Sequence, residues 1–268
     1  DEYINKYNKD YKFSGDLYFT PGTDINLIYK LDKNGCRENK DIYYDEVDTI
    51  LIVDSQLWGV AINNPFDIAG RLRKNTPETT FLNLGVPGTS PQDQVLIIKK
   101  LAKNTNFKNI VWFFFEANDF MISNSKNTTC HYGSKDRLEL KRKIKKSNIK
   151  FLSTKIFLAE HLRGLSSFIK MFKNYENKFK LNENAYENTV IELDSFLNKK
   201  NIKKRILYYI PSYGRHALKN KIKHPHTKKV NELKSKVKKI AIKHNFLFID
   251  GDEAFISIKN KLDLYHYR

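Results

Sequence analysis

Thr49-Ile50-Leu51-Ile52-Val53-Asp54-Ser55 decides the fold. The run from Thr49 to Val53 is apolar without alternation and rich in β-branched side chains, and it stops abruptly at an acid and a serine. A strand with one wet face alternates; a continuous run this short fits a strand covered on both faces, as in a parallel sheet. Four more stretches read the same way: Thr80-Phe81-Leu82-Asn83-Leu84, Ile110-Val111-Trp112-Phe113-Phe114-Phe115, Ile206-Leu207-Tyr208-Tyr209-Ile210 and Phe246-Leu247-Phe248-Ile249-Asp250. Five strands separated by helical segments require crossovers, so the expected fold class is α/β: a three-layer sandwich around a central parallel sheet of about five strands.

The intervening helices carry their own signals. Ser90-Pro91-Gln92-Asp93 offers a cap, a proline at the first helical position and an acid at the third, followed by an apolar face of Val95, Ile98 and Leu101. Val230, Leu233, Val237 and Ile240 repeat at helical spacing, while Lys228, Lys229, Lys234, Lys236 and Lys238 point elsewhere, as the wet side of an amphipathic helix does. Residues 1–48 are polar with scattered aromatics and turn pairs at Pro21-Gly22 and Asn34-Gly35, and read as an N-terminal extension packed on a main domain spanning 49–268. A section at about 120–200 is far longer than a crossover needs. It reads as a largely helical insertion, with helices over 151–173 and 185–200.

The chain of 268 residues is long enough for one large core, burying roughly 70–75% of its unfolded surface. Its formal net charge is +18, which attracts polyanions, yet arginine is scarce beside lysine and no zinc-finger, RNA-binding or zipper pattern is present, so nucleic acid is not an expected partner. No run reaches the eighteen or so apolar residues of a membrane span. The opening at Asp1 rather than Met leaves room for an upstream export signal or membrane anchor. Cys36 and Cys130 do not make a disulfide framework; they could pair, but are read as two free thiols. His224-Pro225-His226 lacks a matching acid and histidine cluster, so neither metal nor cofactor is expected; His216 is placed near the mouth of the site, and Asn127-Thr128-Thr129 is a glycosylation sequon.

Chemistry in an open α/β sheet sits where strands end and loops begin. Ser55 follows the first strand; Gly85, in Asn83-Leu84-Gly85-Val86-Pro87-Gly88, follows the second; Asn118, in Glu116-Ala117-Asn118-Asp119, follows the third. A serine needs a base to become a nucleophile. The Ser55 N–H, the Gly85 N–H and the Asn118 side-chain amide are three donors able to surround a developing oxyanion. Near the carboxyl end, Asp263-Leu264-Tyr265-His266 places an acid three residues before a histidine.

These four blocks, in this order from about 49 to 266, resemble the SGNH/GDSL hydrolase superfamily. The resemblance implies an SGNH-like fold, an acyl-enzyme on Ser55, an oxyanion hole from Ser55, Gly85 and Asn118, and, from the family's Asp-x-x-His block, His266 to take the serine proton and Asp263 to orient the imidazole. Two positions depart from the family pattern: Val53 stands where the serine block has glycine, and Glu116 where the third block has glycine. Glu116 could bring negative charge to the oxyanion region or turn away into the sheet periphery. Tyr265-His266-Tyr267-Arg268 also resembles the lead-in to the Asp/His block of some carbohydrate-modifying relatives, which would put the true pair beyond Arg268. Leu31-Asp32-Lys33-Asn34-Gly35-Cys36-Arg37-Glu38 is similar to the segment preceding the serine in bacterial envelope-associated carbohydrate esterases and O-acyltransferases. The function implied is hydrolysis or transfer of an O-acyl group, acetyl foremost, on a carbohydrate or anionic glycan in the bacterial periplasm or cell envelope, with a cytoplasmic setting left open. The alternative is a degenerate protein of that fold, binding an acidic glycan or assembling an envelope complex.

Overall fold

Both faces of the Thr49 run are covered, one layer of helices on each. The computed structural model describes residues 15–19, 27–32, 34–38, 46–52, 54–59, 62, 65–116, 119–120, 130, 181–212 and 227–256. Strands β1 (Gly15–Phe19) and β2 (Leu27–Leu31) pair antiparallel as a separate ribbon. Then come β3 (Glu46–Ile52), α1 (Ser55–Trp58), α2 (Ile68–Asn75), β4 (Phe81–Asn83), α3 (Pro91–Leu101), β5 (Asn106–Phe115), α4 (Glu183–Leu197), β6 (Lys204–Ile210), α5 (Thr227–Lys243), β7 (Leu247–Asp250) and α6 (Gly251–Ile256). Strands β3 to β7 form one parallel five-stranded sheet in the order β4-β3-β5-β6-β7.

That order explains which helix lies where. The chain steps outward from β3 to β4, then returns across β3 to β5 and continues the other way. Right-handed crossovers travelling in opposite directions must lie on opposite faces. Accordingly Ile50, Ile52, Ile110, Trp112, Phe114, Leu207 and Tyr209 form one core with α3, α4 and α5, while Leu51, Phe113 and Ile210 face the other side with Leu57 of α1 and Ala69 of α2. Each strand therefore needs apolar residues at odd and even positions alike, which is why the sequence runs do not alternate.

Helix α3 starts where its cap requires: Ser90 N donates to Asp93 Oδ2 (3.1 Å), Asp93 N donates to Ser90 Oγ (3.4 Å), and Pro91 opens the helix. Val95 and Ile98 are fully buried. On α5, Val230, Leu233, Val237 and Ile240 are buried, each worth about 1.5–3 kcal/mol of transfer free energy, and Lys236 and Lys238 are exposed. Strand β7 departs from the expectation of two covered faces: Leu247 is 62% and Ile249 37% exposed. It lies at the end of the strand order and pairs with β6 alone, so its outer side meets no further strand.

The reading of Cys36 and Cys130 as free thiols is overturned. They are bonded to each other, with Cα atoms 4.7 Å apart across 94 residues of sequence, and both are fully buried. Residues 32–38 fold back onto the domain and bring Cys36 to Cys130, a proximity that spacing along the chain cannot convey. The expected helix at 151–173 and nearly all of the section at 120–180 lie outside the described residues, as do His216, His224, His226 and the Asn127 sequon.

A thiol titration of the unfolded, unreduced protein is expected to find no free cysteine. Replacing both residues with serine is expected to lower stability by about 2–4 kcal/mol in urea unfolding.

Candidate active site

The strand order reverses between β3 and β5, the place in such a sheet where a crevice for ligands is expected. Ser55 stands at this point as the first residue of α1, a helix of one turn. Asp54 caps it, Oδ1 accepting from Gln56 N at 3.0 Å, while Ser55 Oγ lies 3.4 Å from Asp54 Oδ2. Asp54 is fully buried and Ser55 partly exposed, so the anchoring acid is inside.

Gly85 lies directly against this turn. A methyl group on Gly85 would sit 2.9 Å from Trp58 N and 3.0 Å from both Leu57 Cβ and Asn83 Oδ1. Only a residue without Cβ lets the two loops approach this closely. Asn83 joins them: its Nδ2 donates to Leu57 O (3.3 Å), and its Oδ1 accepts from Gly85 N (2.9 Å). The Gly85 N–H named as an oxyanion donor is therefore directed at Asn83 Oδ1 in the unliganded protein.

Residues on either side of Asn118 are firmly held. Glu116 N donates to Ile210 O (3.0 Å), and its fully buried carboxylate accepts from Tyr209 Oη (2.6 Å) and Ser212 Oγ (2.9 Å). Glu116 is thus bound at the end of β6. Asp119 accepts from Phe115 N on Oδ2 (2.6 Å) and from Gln94 Nε2 on Oδ1 (3.2 Å), and Gln94 Oε1 in turn accepts from Trp112 Nε1 (2.7 Å). Burial holds the Asp119 carboxyl well above the usual range, and the nearby charge of Asp54 raises it further. The acid of the first block is thus felt electrostatically by that of the third. Asn118, Asp263, His266 and Val53 lie outside the described residues.

Sequence reasoning assigned no role to Asn83, Gln94, Arg37 or Glu38. Glu38 is fully buried; one carboxylate oxygen accepts from Asn83 N, and Arg73 Nη2 approaches it at 2.6 and 2.5 Å. Burial pushes its pKa up to about 7 despite the Arg73 charge and the Asn83 N–H, both of which favour the carboxylate. Asn83, Arg37 and Glu38 belong to stretches quoted for other reasons, and Gln94 carried no signal in the sequence. Among the described residues, no group of three or more His, Cys, Asp or Glu is arranged to hold a metal ion, and no helix is long and apolar enough to cross a membrane.

Comparison of the sequence with protein-family models gives no match, and comparison with curated proteins gives none. Among solved structures, the fold is similar to a lipase/acylhydrolase from Enterococcus faecalis (16% identity, TM-score 0.39, covering 80% of this chain and 82% of that one). It is also similar to a variant of Axe2, an acetyl xylan esterase from Geobacillus stearothermophilus (15% identity, TM-score 0.38, covering 79% and 81%).

Gly85→Ala is expected to destabilise the protein by about 1–3 kcal/mol in urea unfolding, because the added methyl collides with α1. Glu38 also makes a pH prediction. Its ordinary pKa is 4.5 and its folded value about 7, so between these values the folded state holds a proton that the unfolded chain has released. This group's contribution to stability accordingly falls as pH rises from about 4.5 to 7. Melting temperatures measured across that window are expected to lose this slope in Glu38→Gln; an unchanged slope would show that the proton sits elsewhere.

Proposed function

We propose that the protein is a serine-dependent carboxylic-ester hydrolase or O-acyltransferase of the SGNH type, acting on an O-acylated, foremost O-acetylated, carbohydrate. The observation that carries this reading is the joining of the Ser55 turn to the Gly85 loop through Asn83 at the switch point of a parallel sheet. Two loops from adjacent strands are thereby held together at one edge, which supports a site for carbonyl chemistry.

In the proposed reaction Ser55 Oγ attacks the ester carbonyl carbon while its proton passes to His266, which Asp263 orients. The tetrahedral oxyanion is held by the Ser55 N–H, the Asn118 amide and the Gly85 N–H, the last shared between Asn83 Oδ1 and the oxyanion. Collapse expels the sugar alcohol, which takes the proton from His266 and leaves an acyl-Ser55 ester. Water then completes hydrolysis, or an acceptor hydroxyl completes transfer. The buried disulfide supports an oxidising setting such as the bacterial periplasm or envelope.

One observation favours the second reading, a glycan-binding protein without turnover: the Gly85 N–H already has a partner. A fluorophosphonate probe separates the two. The full-length protein is expected to be labelled at Ser55, with labelling abolished in Ser55→Ala and deacetylation of an acetylated sugar reduced by about 10⁴-fold or more. A folded protein that is not labelled, or a Ser55→Ala variant labelled as before, overturns the nucleophile. Acidic glycan bound without acyl release then supports the binding protein.

A further inference from the structure

Four residues make the turn that carries Ser55, and a single helical turn is unfavourable on its own because it fixes many dihedrals for few hydrogen bonds. Its carboxyl end also leaves carbonyls without helical partners. Those carbonyls are met by a residue 18 positions upstream of Ser55. Arg37 Nη1 donates to Trp58 O and Gly59 O, and its Nη2 donates to Ile62 O in the loop that follows. The guanidinium is fully buried, stacks 5.6 Å from the centre of the Trp58 ring, and lies 3.4 Å from Asp67, whose other oxygen caps α2 through Gly70 N (2.8 Å). Gly59 is shaped around it: φ is +70°, and a methyl there would stand 2.7 Å from Arg37 Nη1.

We infer that Arg37 is a positioning residue for Ser55, fixing the carboxyl end of α1 and so the direction of the serine hydroxyl one turn away. The kinetic part of this inference rests on Ser55 being the nucleophile proposed above. A cation at the negative end of the turn is favourable, and a planar fork spans several carbonyls at once where a compact ammonium does not. The next residue does the corresponding work on the other loop: Glu38 holds Asn83 N, and Asn83 holds Gly85. Cys36, before them, is tied to Cys130. Three consecutive residues therefore secure both loops of the candidate oxyanion site without reaching into the crevice.

The test uses full-length Arg37→Lys, which keeps the charge and loses the fork. Amide hydrogen exchange over Gln56–Gly59 is expected to quicken at least tenfold while the sheet amides keep their protection. The rate of fluorophosphonate labelling at Ser55 is expected to fall about 10–100-fold, the penalty for a misplacement of about 1 Å, in the maximal inactivation rate rather than in the apparent affinity for the probe. Wild-type exchange and labelling in Arg37→Lys overturn the inference, as does a labelling loss that only follows a loss of protection across the whole sheet. If that variant fails to fold, Asp67→Asn, which keeps an oxygen for Gly70 N, replaces it: partial loosening of α1 supports the inference and wild-type exchange overturns it. Absence of labelling in the wild-type protein defeats the nucleophile instead, and the exchange over Gln56–Gly59 alone then decides whether Arg37 holds the turn.

Discussion

Parallel strands cannot be joined by tight turns, so each link between them must cross the sheet, and each crossing has the same hand. In this protein that constraint places every other feature. Because the second strand is laid to one side of the first and the remaining three to the other, helices must cover both faces, and the two loops at the reversal must separate. The cover demands unbroken apolar strands; the separation leaves the one place where a hydroxyl on the first loop can be exposed beside a strand end. Ser55 occupies it because Asp54, fully buried, ends the strand and caps the turn.

The interior beneath that point is unusually rich in acids, and each has an anchoring task. Glu116 binds the end of β6, Asp119 closes the end of β5 and meets Gln94, Asp54 caps α1, and Glu38 receives the Asn83 N–H. Burying a carboxyl group is tolerable only with donors in place or with the proton retained, and both solutions are used: the raised values of Glu38 and Asp119 reflect the second.

Legibility in the sequence followed the range of the interactions. Strand runs were readable because both faces of each strand are covered, and the start of α3 because its cap, proline and acid are within four residues of one another. The exposed side of β7 was not, since a strand's rank in the sheet has no local signature. Ser55 and Gly85 were found from their order after successive strands, and the structure brings their loops together; Asn118, Asp263 and His266 remain readings of the sequence. Arg37 and Glu38 escaped because their principal partners are backbone groups 21 to 45 residues away, which leave no pattern in side-chain types. The cysteine pair escaped for a related reason: two residues give composition, and only the folded path gives proximity.

The bond between Cys36 and Cys130 closes a covalent ring, and Ser55, Gly85 and Asn118 all fall inside it, whereas β6, β7 and the candidate Asp/His pair fall outside. A chain delivered amino end first can close this ring once residue 130 has emerged, before β6 exists to pair with β5. The portion carrying the serine can then be sealed as a unit, and the later strands add to one exposed side of β5. The order of synthesis and the order of the sheet coincide on that side, so the half of the molecule that bears the hydroxyl can be closed before the half proposed to activate it is made.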